Sequence, residues 1–174
     1  NFVSAASGIA VAFALMRGIT RKSAGTIGNV WTDITRITLY VLLPVSFVFA
    51  LVLVSQGMIQ NFSEYVKVTP LDPAQGEQTL TMGPVASQVA IKMLGTNGGG
   101  FFNANAAHPF ENPNALSNAL QILAIFSIGA GLCSSFGLMS GDKRQGWAIW
   151  SAMAIMFVVA ACFCATFEQQ GNPA

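Results

Sequence analysis

Three stretches of this chain, Ile37 to Val54, Ala115 to Gly141 and Gly146 to Phe167, contain no charged residue. Each approaches or exceeds the roughly 18 apolar residues that suggest a bilayer crossing. Only 9% of the 174 residues are charged and 53% are hydrophobic, against roughly 25% charged in an average soluble domain. These spans place the chain in lipid. A fourth apolar run, Phe2 to Met16, is shorter and begins at once after Asn1, so the chain reads as an excised piece whose first helix is cut. No basic region or small-residue cleavage site precedes that run, which gives no signal-peptide pattern. A net charge of +1 gives no indication of nucleic acid. The expected fold class is an all-α polytopic membrane protein with four transmembrane helices.

Taken in order, the first run ends at Arg17, Arg21 and Lys22, and the small-residue stretch SAGTIGN follows. Trp31 stands at the entry of the second span as an interfacial aromatic. Pro44, inside that span, is expected to kink it. Ser55 to Met82 is a polar loop with Pro70 and Pro73. Gly83 to Leu94 is helix-like but too short to cross, which fits a re-entrant half-helix. Under this topology Arg17, Arg21, Lys22, Arg36, Lys143 and Arg144 share one face, leaving only Lys67 and Lys92 on the other. The positive-inside rule makes the first face, Arg17 to Arg36 and Asp142 to Arg144, cytoplasmic and puts the Ser55 to Asn114 loops outside. Glu64, Asp72, Glu77, Glu111 and Glu168 fall on the outer face, which would concentrate cations.

The half-helix runs into GTNGGGFFNAN, Gly95 to Asn105. Three consecutive glycines are not helix filler, since each costs about 1 kcal/mol relative to alanine in a helix interior. Glycine permits φ > 0, so successive carbonyls of Thr96, Asn97, Gly98, Gly99 and Gly100 can turn toward one axis and replace part of an ion's hydration shell. Irregular backbone at membrane depth survives where it lines a water-filled cavity. The carbonyl end of the half-helix, carrying about half a negative charge, favours a cation. A phosphate cradle would need the glycines at a helix N-terminus with a following lysine, and none follows Gly100. The alternative is that the glycines form only a flexible turn between helices.

Asn1 to Phe13 aligns without gaps on Asn114 to Phe126, matching Asn1/Asn114, Ser4/Ser117, Ala6/Ala119, Ile9/Ile122 and Phe13/Phe126. The repeating unit is then helix, half-helix, loop, helix. Residues 1–32 are the last helix of a preceding unit and its cytoplasmic turn. Residues 33–141 are a complete unit, with outer loop 55–82, half-helix 83–95, filter 96–100 and outer segment 101–114. Residues 142–174 are a cytoplasmic turn and the first helix of the next unit.

The run MGPVASQVAIKMLGTNGGGFFNANAAHPFENPNALSNALQ closely resembles the pore region of the KdpA family, the potassium-channel-like subunits of the bacterial Kdp potassium-importing pump. NFVSAASGIAV, RITLYVLLPV, GDKRQG and QGNP resemble the same family. The resemblance implies four unequal repeats around one pore in the bacterial inner membrane, this chain looking like the second with flanking helices. It implies that the Thr96 to Gly100 carbonyls form a quarter of a potassium selectivity filter, with Gly98 the most sensitive position. It also implies a KdpB-type ATPase partner, KdpC-type and KdpF-type subunits, the remaining repeats of the same full-length chain and membrane lipid. Potassium is then the substrate, with no organic cofactor and ATP used only by the partner, so this chain is a non-catalytic subunit. The loop lacks the valine and tyrosine of the TVGYG of ordinary potassium channels.

Around the loop, Asn103, Asn105 and Asn112 are candidates to brace the filter from behind. His108 and Glu111 are candidates to attract cations at the outer mouth, or to order the loop by hydrogen bonds. Lys92 either regulates ions near the filter or offsets the helix end and snorkels toward water. Cys133, Cys162 and Cys164 fall in apolar spans without zinc-site spacing and are expected to pack as small hydrophobes. Gly137 and Gly141 fit a close helix approach. Two other functions stay open, a secondary transporter with a broken-helix solute or ion site, and a membrane scaffold in which the glycine loop only links helices.

Overall fold

The computed structural model describes residues 1–23, 25–71 and 76–171. Ala24, Asp72 and Pro73, and Asn172 and Pro173 lie outside them. The elements are α1 (Phe2–Thr20), α2 (Val30–Ile37), a π-helical segment (Thr38–Leu42), α3 (Leu43–Ser55), β1 (Val66–Val68), β2 (Gln78–Leu80), α4 (Val85–Gly95), α5 (Ala115–Met139) and α6 (Lys143–Gln169). Among the described residues four helices are long and apolar enough to cross a membrane, Phe2–Thr20, Val30–Ser55, Ala115–Met139 and Lys143–Gln169, as fits a membrane-spanning protein. The fold is mostly helical rather than all-α. The loop between α3 and α4 holds an antiparallel ribbon pairing Val66 with Leu80 and Val68 with Gln78, and a salt bridge of 3.8 Å joins Lys67 to Glu77 across it.

The second crossing starts earlier than its charge-free span. Asn29 caps α2, its side chain accepting from the N–H groups of Trp31 (3.0 Å) and Thr32 (3.2 Å), so Asp33 and Arg36 ride on the helix rather than before it. Pro44 cannot donate a hydrogen bond, and its ring crowds the carbonyl four residues back. The helix accommodates this by widening over Thr38–Leu42, where the Leu43 N–H reaches the Thr38 carbonyl. A π turn beside a proline is one of the recognised ways a long helix absorbs such a defect.

The chain forms two compact units. In the first, residues 1–14 and 28–128, α4 packs against α3. Leu53, Met58, Val85, Ala86, Val89, Ala90, Met93 and Leu94 are buried in one cluster that also takes in Ala106 and Ala124. Seven of the eleven residues of α4 are buried and the other four half-buried, so this short helix is a core element and not an amphipathic surface helix.

The second unit comprises residues 15–27 and 129–174. In it α6 crosses α5 closely at Gly146: a Cβ there would lie 2.5 Å from the Cys133 carbonyl oxygen, and one on Gly137 would lie 3.1 Å from the Gly146 nitrogen. The close pair is therefore Gly137 with Gly146, not Gly137 with Gly141. Gly141 has φ +76 and open space around it, and supplies the left-handed turn between the helices. Cys133 is buried beside this crossing, whereas Cys162 and Cys164 are exposed rather than packed. Gly146→Leu is expected to destabilise the intact protein by about 1–3 kcal/mol, because a backbone carbonyl cannot step aside. Gly129→Ala, with nothing within 4 Å, should leave the thermal midpoint unchanged or higher. Equal midpoints for both variants would refute the crossing.

Candidate functional site

The segment from α4 to Asn114 leaves the end of α3 and comes back to it. At the start, the orphan N–H groups of the first turn of α4 are satisfied locally and from the chain just after α3. Val85 donates to the Gly83 carbonyl (2.9 Å) and Ala86 to that of Ile59 (2.9 Å), and the Ser87 N–H donates to Gln60 Oε1 (2.9 Å). Every helix start needs such partners, and here tertiary contacts supply them because Pro84 provides no side-chain cap. At the far end, Asn114 Nδ2 donates to the Gln56 carbonyl at 3.1 Å. Asn114 also caps α5, accepting from the Ser117 N–H at 2.8 Å.

Between these anchors α4 stops in a Schellman motif. The N–H of Asn97 reaches the Lys92 carbonyl (3.1 Å), and that of Thr96 reaches the Met93 carbonyl (3.3 Å). The motif's left-handed position is filled by Thr96, at φ 53 and ψ 34. A β-branched residue is rare there, and its hydroxyl is turned back to the Gly95 carbonyl at 2.7 Å. Gly98 (φ +73), Gly99 (φ +76) and Gly100 (φ +150) then follow, with Asn103, Asn105 and Ala106 also at positive φ. A Cβ at Gly95 would meet Asn97 Oδ1, so a larger residue there would make the Asn97 side chain turn away.

Behind the glycines lies a buried ion pair. Lys92 and Glu111 are 1% and 0% exposed, with Lys92 Nζ 3.4 Å from Glu111 Oε1. Lys92 Nζ also donates to the Gly99 carbonyl (3.3 Å). Glu111 accepts from the Phe101 N–H through Oε1 (2.7 Å) and from the Ala106 N–H through Oε2 (3.2 Å). The Glu111 carbonyl in turn accepts from Gln121 Nε2 of α5 at 2.9 Å. Lys92 and Glu111 thus hold the loop at Gly99, Phe101 and Ala106, and Gln121 ties Glu111 to α5. Gly100 lies against them so closely that a Cβ would stand 2.6 Å from Glu111 Oε1 and 2.8 Å from Lys92 Nζ.

Asn105 accepts the Gly99 N–H through Oδ1. Asn112 accepts from the Ser117 hydroxyl (2.7 Å) and donates to Asn118 (3.0 Å), which ties it to the start of α5 rather than to the glycines. Asn103 is exposed, its N–H turned to the Gly100 carbonyl at 3.1 Å. His108 stacks on Phe102 with ring centroids 4.1 Å apart, and its Nδ1 accepts the Phe110 N–H at 3.1 Å. Glu111 is not at an open mouth, and Lys92 does not snorkel to water; each has the other as its counter-charge inside the core.

Of the five carbonyls from Thr96 to Gly100, two are engaged within the chain, Gly99 by Lys92 and Gly100 by Asn103. Among the described residues no group donates to the carbonyls of Thr96, Asn97 or Gly98, and Thr96 and Gly98 are exposed. An array of unpaired carbonyl oxygens is suited to a cation and not to an anion. Gln60 and Gln121 were not selected from the sequence. Only the Lys92-to-Glu111 charge complementarity within one helix–loop segment hints at the pairing.

The whole chain, residues 1–174, matches the family described as KdpA: Potassium-transporting ATPase A subunit. Three relatives are each described as a potassium-transporting ATPase potassium-binding subunit. That of Variovorax paradoxus is 61% identical over 99% of this chain and 31% of its own length. That of Methylibium petroleiphilum is 62% identical over 99% and 30%, and that of Methylorubrum extorquens 67% identical over 91% and 27%. The chain therefore spans about three-tenths of the length of the curated relatives it matches.

Proposed function

Since the chain belongs to the KdpA family, the potassium-transporting ATPase A subunits, we propose that it contributes one quarter of a potassium-selective filter. The filter would serve an ATP-driven uptake complex of the bacterial inner membrane. The loop Thr96 to Gly100 supplies backbone carbonyls that replace water around potassium, and α4 with this loop is the re-entrant element of a helix, pore-loop, helix repeat at residues 33–141. The other quarters come from the rest of the full-length chain. ATP is hydrolysed by a KdpB-type partner, assisted by KdpC-type and KdpF-type subunits.

The observation that carries this reading is the out-and-back course of residues 85–114, tied at both ends to residues 56–60 that follow α3. A segment pinned in that way enters and leaves on one side, and its turning point is the glycine loop. Irregular backbone survives inside a membrane only where it is buried in protein or lines a wet cavity. The relatives' description as potassium-binding subunits supplies the ion.

Gly98→Ala in the full-length protein tests the assignment. A Cβ at Gly98 meets only Asn105 Oδ1 at 3.4 Å, so the substitution acts through its φ of +73 and not through a clash. A non-glycine residue in that region costs roughly 1–2 kcal/mol, which the loop relieves by turning its carbonyls. Potassium affinity should weaken and discrimination against rubidium or sodium should relax in uptake assays. Unchanged affinity and ion preference would sink the filter assignment.

A further inference from the structure

Among the described residues Lys92 and Glu111 are the two buried charged side chains, and stability alone is a poor reason for them. A buried ion pair is often no better than a well-packed apolar pair of the same volume. An apolar pair could fill the space, but it could not engage the Gly99 carbonyl or accept the N–H groups of Phe101 and Ala106. Two consequences follow for a cation at the loop. The ammonium occupies one carbonyl of a glycine run whose neighbours at Thr96, Asn97 and Gly98 stay unpaired. An ammonium so close to a cation site would repel the ion if it stood alone, and the adjoining carboxylate cancels that field.

We propose that Lys92 and Glu111 are positioning residues for the cation site. Lys92 withholds the Gly99 carbonyl from the ion, and Glu111 masks the charge that Lys92 brings. This inference rests on the filter reading above. It assigns discrimination between ions to Lys92 and affinity to the balance of the pair.

The test is potassium and rubidium uptake by the complete ATP-driven complex carrying Lys92→Met, Glu111→Gln or both, with Gly98→Ala measured alongside. Glu111→Gln leaves an unmasked ammonium and should raise the potassium KM about tenfold, with kcat at saturating potassium largely kept. Lys92→Met frees the Gly99 carbonyl and leaves a negative charge. It should hold or lower the potassium KM while reducing discrimination against rubidium about fivefold or more. The double variant is neutral again, so its potassium KM should return to within about threefold of the parent while discrimination stays reduced.

A pair that only holds the fold would give single variants that change KM in the same direction, with a double variant no better than the worse single; that result overturns the proposal. If the singles do not assemble, the double variant decides: reduced discrimination supports the proposal, and unchanged discrimination or failure to assemble overturns it. Should Gly98→Ala leave ion preference intact, the filter reading itself fails. Should Gly98→Ala alter it while the pair variants do not, only the present inference fails.

Discussion

Glu111→Ala is expected to lower the stability of the intact protein by about 3–5 kcal/mol, the usual cost of removing one partner of a buried charge pair. The variant leaves the Lys92 ammonium, 1% exposed, without its counter-ion. It also leaves the N–H groups of Phe101 and Ala106 without their acceptor, because Glu111 takes both. Each buried donor left unsatisfied adds its own desolvation cost. Water entering the cavity would recover part of this, so the loss should be largest where the segment is sealed. The measurement is the thermal midpoint of the purified full-length protein, with Glu64→Ala, at an exposed acid of the loop between α3 and α4, as control. A drop at Glu111 no greater than at Glu64 would show that the pair is solvated and not buried.

Gly100→Ala is expected to be the most damaging single-methyl change in the loop. Its Cβ would enter a space already held by Glu111 Oε1 (2.6 Å), Lys92 Nζ (2.8 Å) and Glu111 Oε2 (2.9 Å), on a backbone at φ +150 that L side chains rarely adopt. Either the buried ion pair opens or the loop moves off it. Overpacking of this kind costs about 1–3 kcal/mol, and the backbone strain adds a comparable amount. Gly99→Ala is the informative comparison: its φ is +76 but nothing stands within 4 Å, so it carries strain without a clash. Hydrogen exchange of the 96–111 amides should show greater loss of protection for Gly100→Ala. Equal effects at Gly99 and Gly100 would show that the pair does not press on the loop.

The membrane character and the helices were legible because both depend on composition over long windows. Charge-free runs located α5 and α6 to within a few residues, and Asn29 and Asp142 mark helix starts by side-chain caps that a sequence carries. The second crossing began seven residues before its charge-free span because Asp33 and Arg36 are tolerated in a helix end. The ribbon of β1 and β2 was missed, since three-residue strands leave no periodic signal. The glycine run stood out because glycine's one special property, access to positive φ, is used there three times in succession.

The contacts behind that run were not legible. Lys92 and Glu111 are nineteen residues apart, and either is as well explained by water as by a partner until the fold brings them to 3.4 Å. The glycine pair at the α5–α6 crossing depended in the same way on which residue of α6 faces Gly137. By itself the sequence determined that the chain enters a membrane, where its helices run, and that Gly98 to Gly100 take conformations other residues avoid. Those properties are local, set by a residue's own side chain and its near neighbours. The tertiary structure decided which carbonyls are engaged and which are unpaired, and that two opposite charges lie sealed behind them. Such pairings depend on distances between residues far apart in the chain, and burial turns a charge that water would tolerate anywhere into one that must meet its partner.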